Sequence, residues 1–528
     1  MIGLQFPRQL PQDNLFDSYY YDALVPDDHE LMQIDRCVDF SFVEAQVQDC
    51  YTGQGRPPLQ PQLMLRFCFL KDYAVLSDAE LMQQAQYNLL YRKFLRLGGN
   101  ELPPDSSSMT VFRQRLGEAR LKAILDRVVQ GAHQLGLVSN ERAHVDSTGV
   151  IGDIAVRRLR GLVLEALAPA LHSLTALGQA DVALPLQTLR EALAADSMYW
   201  ETRERREAHV LACWELLGQV ADRYDELMAR SGWTACQEDL LLQQAGLIEK
   251  VLQRQQSRKG GEKRDLLASV PDPDARWNNR EQGKKPYVGY KEHVIEDDVS
   301  GIITDVIVTP ANVDDSTQLQ ALVAGHEAVV GTVPESVATD SKYFTGANLQ
   351  YLDQVCVEAF IAVPAAKGER QGLFSPADFE YDGEHDCVLC PAGQLAEGGK
   401  WDEATQGFTY YFRKGQCDNC PLRARCSDCK RGRTVFISGY RELLGAARAK
   451  KNDPAQLAAQ RRRLRAERTF SLQKQRHGLR RTRYRGLGAV RLGVYFNVLV
   501  VNVRRIVKLL LAEEPVHEAP RRLLAQAG

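Results

Sequence analysis

The first 140 residues have the apolar spacing of short helices. A dense apolar run over residues 62–73 predicts one helix. Ser77, followed three residues later by Glu80, predicts a capping box that begins another helix, which runs to about Leu97 before a Gly-Gly-Asn turn. We therefore expect a helical domain at the N-terminus.

The middle of the chain changes from strand-like to helical spacing. Residues 143–146 predict a short strand that ends in Asp146. Residues 156–256 are rich in Leu, Ala, Glu and Arg at helical spacing and contain few helix breakers. This stretch predicts long amphipathic helices that pack as an antiparallel bundle.

From residue 287 the apolar period becomes that of strands. Residues 287–295 and 302–308 predict a hairpin around a polar turn. Two further short strands are expected at residues 336–339, directly before Asp340, and at residues 357–363. A basic helical region follows a cysteine-rich stretch near the C-terminus.

Composition narrows the class of protein. The chain has 528 residues, of which 44% are hydrophobic and 25% are charged, so we expect several domains and exclude a disordered or collagen-like protein. No apolar run approaches the roughly 18 residues that span a bilayer, and the N-terminus lacks the order of a signal peptide. A cytoplasmic protein with no membrane partner is expected.

Charge is unevenly distributed along the chain. The formal net charge is −2, yet residues 461–508 contain 15 Lys and Arg and a single acid, Glu467. Apolar residues such as Phe470 lie among these bases and can build a core, which makes a solvated basic tail the weaker interpretation. The asymmetry predicts a segment that binds nucleic acid.

Three acids occur in an informative order. Asp146 and Asp340 end predicted strands, and Glu467 lies in a predicted helix after a hairpin, a helix and further strands. This element order is that of a ribonuclease-H-like fold, in which three such carboxylates can converge. Converging carboxylates repel one another, and Mg²⁺ or Mn²⁺ relieves the repulsion. Two such ions can activate a water or a 3′-hydroxyl against a phosphodiester.

The residues around Glu467 favour a metal-binding role for it over that of an ordinary surface acid. Arg463 precedes it by four residues and Lys474 follows it by seven, so the three side chains fall within about 60° of one another on a helix. A carboxylate between two cations can serve a metal ion and phosphates, although a surface stripe of salt bridges would have the same spacing. The competitors for the acidic roles are Asp153, Asp297 and Asp298.

Three blocks of the chain carry a family resemblance. Two of them are Asp146-Ser147-Thr148 and Thr339-Asp340-Ser341-Lys342-Tyr343. The third is Arg463-x3-Glu467-x6-Lys474, with Gln460 where the family signature has Tyr. Together with an N-terminal segment that contains Gly55-Arg56-Pro57-Pro58, these blocks resemble a bacterial insertion-sequence transposase of the DDE type.

The resemblance implies metal-dependent cleavage at the ends of a mobile element, followed by attack of the freed 3′-hydroxyl on target DNA. It implies that Asp146, Asp340 and Glu467 hold the Mg²⁺ or Mn²⁺ ions. The DNA partners would be the terminal inverted repeats and the target, and joining two ends implies a homodimer on DNA. The expected DNA-binding side chains are Arg463, Lys474, Arg476, Arg480, Arg481 and Arg483.

The expected fold class is α/β, with a ribonuclease-H-like mixed-sheet catalytic core and three additions. The core comprises residues 141–155, 280–364 and 451–515. The additions are a helical N-terminal DNA-binding domain (1–140), a helical insertion (156–279) and a small Cys-rich zinc-binding insertion (365–450).

Six of the twelve cysteines form three Cys-x2-Cys pairs between Cys387 and Cys429. Thiolates at this spacing can share a tetrahedral Zn²⁺, and six ligands exceed the four that one ion needs. Reduced, unliganded cysteines are the alternative interpretation. The resemblance favours four ligands for a structural zinc: Cys390, Cys417, Cys420 and Cys426.

Two other functions remain open from the sequence. A catalytically silent DNA-binding regulator derived from a transposase could lose any of the three acids, and all three are present. A ribonuclease-H-like nuclease without strand transfer would share the acids but would not need an N-terminal domain to recognise terminal repeats.

Overall fold

The computed structural model describes residues 15–50, 59–155, 159–196, 202–257, 266–278, 286–365, 372–427, 429 and 431–513. The N-terminal region is helical, as predicted. Its helices are α1 (Leu15–Leu24), α2 (Glu30–Cys37), α3 (Val43–Val47), α4 (Pro61–Ala74), α5 (Asp78–Tyr87), α6 (Leu89–Leu95) and α7 (Ser106–Gln134).

The capping box predicted before α5 is present, since Ser77 and Glu80 accept each other's backbone N–H groups. The helix that it begins is shorter than predicted. Asn88 adopts an extended conformation and its side chain accepts from the backbone N–H of Tyr91, which ends α5 and caps a separate helix, α6. Apolar spacing continues through this break, so the pattern alone did not reveal it.

A six-stranded mixed sheet forms the centre of the molecule. Its strands lie in the order β2-β3-β1-β5-β6, and the sixth strand, β4, also pairs with β3. β1 is antiparallel to β3 and parallel to β5. The strands are β1 (Arg142–Ile151), β2 (Arg276–Asn278), β3 (Tyr287–Asp297), β4 (Ile303–Pro310), β5 (Ser336–Thr339) and β6 (Glu358–Ile361).

The first strand is longer than predicted, and Asp146 lies within it rather than at its end. β3 pairs with β1 from Ala143 to Ile151, which keeps the chain extended past Asp146. The parallel partner β5 pairs only from Arg142 to Val145. One edge of β1 therefore opens at Asp146.

Two insertions have cores of their own. The first contains the helices α8 (Leu159–Ala176), α9 (Ala180–Ala195), α10 (Arg203–Met228) and α11 (Ala235–Ser257), which pack around α8. The second has two three-stranded sheets and two short helices: β7 (Glu380–Asp382), β8 (Cys387–Leu389), β9 (Leu395–Glu397), β10 (Lys400–Asp402), β11 (Gly407–Tyr411), α14 (Lys414–Asp418), α15 (Arg423–Cys426) and β12 (Thr434–Ser438).

The remaining helices cover the two faces of the central sheet. They are α12 (Leu319–Val330), α13 (Gly346–Gln354), α16 (Arg441–Ala449), α17 (Pro454–Arg476) and α18 (Leu487–Glu513). Alternation along β1 sends Ala143 and Val145 into a core with α12 and α13. Asp146 points to the other face, toward α17, where Arg463 meets it. No helix in the described part of the chain is long and apolar enough to cross a membrane.

Candidate active site

The register of two parallel strands brings Asp146 and Asp340 together. Val145 pairs with Thr339, so the next residue on each strand, Asp146 on β1 and Asp340 after β5, lies at the same level of the sheet. The charge of Asp340 contributes to raising the pKa of Asp146, in keeping with this proximity. Two of the three predicted acids are therefore neighbours.

Both aspartates are held in environments that disfavour their charged forms. Burial raises the pKa of Asp146 to about 6, even though Arg463 donates a hydrogen bond to its Oδ2 at 2.8 Å. Burial also raises the pKa of Asp340, whose Oδ1 accepts from the backbone N–H of Lys342 at 2.9 Å. Such a pair would gain from a cation between the carboxylates.

α17 lies across the ends of β1, β5 and β6. Gln460, the residue at the Tyr position of the family signature, donates its amide to the carbonyl oxygens of Thr339 and Phe360 at 3.1 and 2.6 Å. Arg463 reaches Asp146, and further along the helix Lys474 donates to the Thr148 hydroxyl. The helix is thus fixed over β1 at two points eleven residues apart.

Glu467 lies between these two points on the same side of α17. It is one turn after Arg463 and about two turns before Lys474, and its side chain is exposed to solvent. Helix spacing therefore puts Glu467 on the side of α17 that carries Arg463 and Lys474, but within the described ranges its carboxylate does not form a three-acid metal cluster with Asp146 and Asp340.

Two buried glutamates beneath α17 were not anticipated from the sequence. Glu292 and Glu296 lie on the same sheet face as Asp146, and burial raises the pKa of each to about 7. Gln473 donates to Glu292 at 2.7 Å and Thr469 donates to Glu296 at 2.6 Å. Two acids at alternate positions on either side of Val294, on one face of a predicted strand, were the signal that could have identified them.

A sixth acid, Asp315, was also missed. Its oxygens lie 2.6 Å from Lys291 Nζ and 3.0 Å from Lys342 Nζ. Burial alone would raise the pKa of Asp315, but the two lysines outweigh it and lower the pKa to about 2. This carboxylate is neutralised by lysines.

The competing aspartates have other partners. Asp297 accepts from the backbone N–H groups of Ser139 and Ser300 and so closes the turn after β3. Asp298 is buried next to His144 and lies 3.6 to 3.8 Å from three arginines: Arg142, Arg462 and Arg465. Asp153 is half-exposed beyond the end of β1 and faces Arg481 at 3.6 Å.

The predicted DNA-binding arginines lie on the side of the site where α17 ends. Arg476, Arg480, Arg481 and Arg483 are all exposed. The segment that carries the last three runs beside the end of β1, because Ile151 exchanges backbone hydrogen bonds with Arg480 and Thr482. A basic surface therefore continues from Lys474 along this edge.

Four of the six clustered cysteines share one small cavity. Cys390, Cys417, Cys420 and Cys426 line it, and the backbone N–H of Gln394 donates to the Cys390 sulfur at 3.3 Å. Cys387 is buried in β8 and Cys429 is exposed. Within the described ranges, no three or more His, Cys, Asp or Glu side chains are already arranged to hold a metal ion, at the cysteines or at the acids.

Two transposase family models match parts of the chain. A family model described as "Transposase domain (DUF772)" matches residues 19–115, and one described as "Transposase DDE domain" matches residues 389–507. A Rhizobium meliloti protein, "Uncharacterized protein ORF8 in nfe locus", is 29% identical over 132 residues, which are 24% of this chain and 64% of that protein. The chain thus spans less than two thirds of that relative. No solved structure matches.

Proposed function

We propose that the chain is a transposase of the DDE type, which cuts DNA at the ends of an insertion sequence and joins the freed 3′-hydroxyl to target DNA; the two transposase family models that match parts of the chain support this. The observation that carries the proposal is the register of β1 and β5, which sets Asp146 beside Asp340 beneath a helix that carries Glu467. The proposed fold of this core is ribonuclease-H-like.

Asp146, Asp340 and Glu467 would hold Mg²⁺ or Mn²⁺. The site fits such ions, because two carboxylates with raised pKa values face each other and a third is free to approach from solvent. When bound, the ions would activate the attacking oxygen and stabilise the leaving oxygen of the phosphodiester. The carboxylates would position the ions, and the β1–β5 register would hold two of those carboxylates in place.

Arg463, Lys474 and the exposed arginines Arg476, Arg480, Arg481 and Arg483 would bind the DNA backbone. Arg463 is already paired with Asp146, so it would orient the carboxylate as well as attract phosphate. We further propose that residues 1–140 contribute to recognition of the terminal repeats. Joining two ends requires two active sites, which supports a homodimer on DNA, acting on the bacterial nucleoid.

The Cys-rich insertion would bind one structural Zn²⁺ through Cys390, Cys417, Cys420 and Cys426. This donor set fits, because the four sulfurs line one cavity and the N–H···S hydrogen bond to Cys390 favours a thiolate. The ion would cross-link and stabilise a small domain whose sheets contain only three strands each.

The acids provide the test of the proposal. Asp146→Asn, Asp340→Asn and Glu467→Gln should each reduce cleavage of a duplex carrying the terminal repeat by about a thousandfold or more, because each removes a metal ligand. Binding of the same duplex in a gel-shift assay should persist. Asp153→Asn, which changes an acid outside the site, is the matched control and should cleave normally.

The opposite results would refute the proposal. Normal cleavage by any of the three variants would exclude that residue from the active site. Binding without any cleavage by the wild-type chain, with Mg²⁺ or Mn²⁺ present, would favour the silent regulator instead.

A further inference from the structure

One glutamine on α17 forms hydrogen bonds to both sides of the candidate active site. The Gln460 amide nitrogen donates to the carbonyl oxygens of Thr339 and Phe360 at 3.1 and 2.6 Å. Its side-chain oxygen accepts from Arg463 Nε at 3.4 Å. An amide has two N–H donors and one acceptor oxygen, so this side chain faces two strands with its nitrogen and the arginine with its oxygen.

The nitrogen end of Gln460 fixes the backbone that leads into Asp340. The Thr339 carbonyl belongs to the peptide group that joins Thr339 to Asp340, and a peptide group is planar. A donor on the carbonyl oxygen therefore restricts the orientation of the peptide from which Asp340 begins. Because Phe360 lies on the neighbouring strand β6, the same nitrogen also ties β5 to β6.

The oxygen end of Gln460 orients the arginine that holds Asp146. Arg463 donates through Nε to Gln460 and through a terminal nitrogen to Asp146 Oδ2 at 2.8 Å. A guanidinium is planar, so a partner at Nε restricts the direction of the terminal N–H groups. The side chains of Arg463 and Asp146 are only 15% and 13% exposed, so water contributes little to orienting them.

These contacts form one hydrogen-bonded path from the Asp340 backbone through Gln460 and Arg463 to the Asp146 carboxylate. We propose that Gln460 is a positioning residue, which sets the spacing of Asp146 and Asp340 and thereby the affinity of the site for divalent metal ions. The proposal rests on the proposed function, because it takes the two aspartates as metal ligands. Removal of a group that orients metal ligands typically lowers metal affinity by about 10- to 100-fold.

Gln456 provides a matched control on the same helix. It lies about one turn before Gln460, its side chain is buried, and it donates to the Ile361 carbonyl oxygen at 2.8 Å. It therefore anchors α17 to β6, as Gln460 does, but one turn farther from Arg463. Methionine at either position removes a hydrogen bond between helix and strand at nearly constant side-chain length, whereas only Gln460→Met also breaks the path between the aspartates.

Mn²⁺ binding to the full-length chain without DNA tests the proposal, because it is measured without cleavage. Free Mn²⁺ gives a sharp electron paramagnetic resonance signal that is lost on binding, so a titration yields the dissociation constant. Binding at the site is the part of the titration that Asp146→Asn removes. We expect Gln460→Met to raise this dissociation constant by about tenfold or more, and Gln456→Met to leave it within about twofold of the wild-type value.

Gln460→Glu separates the two ends of the side chain. The glutamate has the same shape and keeps an oxygen for Arg463, but it has no N–H group for the two strand carbonyls. Its negative charge also competes with Asp146 for Arg463. We expect the Mn²⁺ dissociation constant to rise by about tenfold or more here as well. This variant carries the test by itself if circular dichroism shows that Gln460→Met does not fold.

Melting temperatures in EDTA distinguish positioning from a purely structural role. Both methionine variants should melt below the wild type by similar amounts, because each leaves a buried strand carbonyl with one donor fewer. A loss of stability that the two variants share cannot explain a loss of Mn²⁺ affinity that only the Gln460 variants show.

The outcomes separate this inference from the transposase assignment. A folded Gln460 variant with a Mn²⁺ affinity within about twofold of the wild type would overturn the positioning role and leave the assignment intact. Equal weakening by Gln456→Met would also overturn it, because the effect would then come from the anchoring of α17 in general. A wild-type chain whose Mn²⁺ binding did not depend on Asp146 would overturn both the proposed metal site and this inference.

Discussion

At the residue scale, Asp146 is the clearest case of a side chain whose environment works against its own ionisation. Most of its surface is removed from water, and the pKa rises to about 6 although Arg463 is in hydrogen-bonding contact. Desolvation therefore outweighs one ion pair. This is understandable if the carboxylate normally meets a divalent cation, which would offset the cost of burying the charge.

Asp146→Asn should therefore stabilise the metal-free protein at pH 8, because it removes a buried charge. The expected net gain is about 1–2 kcal/mol once the lost ion pair with Arg463 is subtracted. The folded pKa exceeds the unfolded one, so wild-type stability falls as the pH rises from about 4 to about 6. The amide does not titrate, and its advantage should shrink below pH 6. Thermal melting in EDTA at pH 5 and pH 8 measures the difference.

Asp153→Asn is the control for this measurement. The difference between its melting temperature and that of the wild type should not change with pH as the difference for Asp146→Asn does. A variant Asp146→Asn that melts below the wild type at pH 8 in EDTA would contradict the argument. Added Mg²⁺ should raise the melting temperature of the wild type more than that of Asp146→Asn.

At the scale of the element, α17 is held by a row of polar contacts. Gln460, Arg463, Thr469, Gln473 and Lys474 each reach a strand or the residue that follows it. A helix this rich in arginine cannot be fixed by an apolar stripe alone. Its position, and with it that of Glu467, depends on buried hydrogen bonds to Glu292 and Glu296.

Thr469→Val should lower stability by about 1–3 kcal/mol, because it leaves the buried carboxylate of Glu296 without its hydroxyl donor and removes an acceptor from Arg505. It should also raise the Mg²⁺ concentration needed for cleavage, since Glu467 is two residues away on the helix. Denaturation and a Mg²⁺ titration of cleavage measure the two effects.

Thr469→Ser retains the hydroxyl and is the matched control for both measurements. If Thr469→Val and Thr469→Ser required the same Mg²⁺ concentration, the hydrogen bond would have no part in positioning the acidic helix.

The Cys-rich insertion gives a second prediction at this scale. The wild-type chain should contain about one equivalent of zinc, Cys417→Ser should lose most of it, and Cys429→Ser should keep it, because one tetrahedral ion needs the four cysteines that share the cavity. Elemental analysis of the purified variants measures this. Zinc below about half an equivalent in the wild type would contradict the prediction.

At the scale of the whole molecule, the N-terminal helices and the central sheet share one hydrophobic core. Phe69 of α4 and Leu121 of α7 belong to the same buried cluster as Val308 of β4 and Val501 of α18. Polar contacts reinforce the junction, since Arg504 of α18 donates to both oxygens of Glu30. The N-terminal helices and the central sheet with α18 are thereby packed against each other.

A chain restricted to residues 141–528 should therefore be insoluble or bind a hydrophobic dye strongly, because removing α1–α7 exposes one side of α18. Co-expression with residues 1–140 should restore a soluble complex. A soluble fragment that does not bind the dye and melts cooperatively would show that each region has a hydrophobic core of its own.

Sequence patterns identified several local features correctly, for physical reasons. The capping box at Ser77 and the strand period after residue 287 depend on neighbours in the chain, and both are present. The transposase resemblance is also confirmed by the family comparisons. The break at Asn88 and the extension of β1 past Asp146 were missed, since one depends on a local cap within an apolar run and the other on pairing with a distant strand.

The sequence by itself indicated the resemblance to DDE transposases, the mixed α/β class, and three acids and six cysteines that can carry chemistry. Only the tertiary structure decided which of these side chains lie close together. The β1–β5 register brings Asp146 to Asp340, folding of the insertion separates four cysteines from two, and the same sheet face buries Glu292 and Glu296 under α17. The contacts of the sheet and of α17 join residues more than a hundred positions apart, and the burial that raises the pKa values of these acids exists only once the chain is packed.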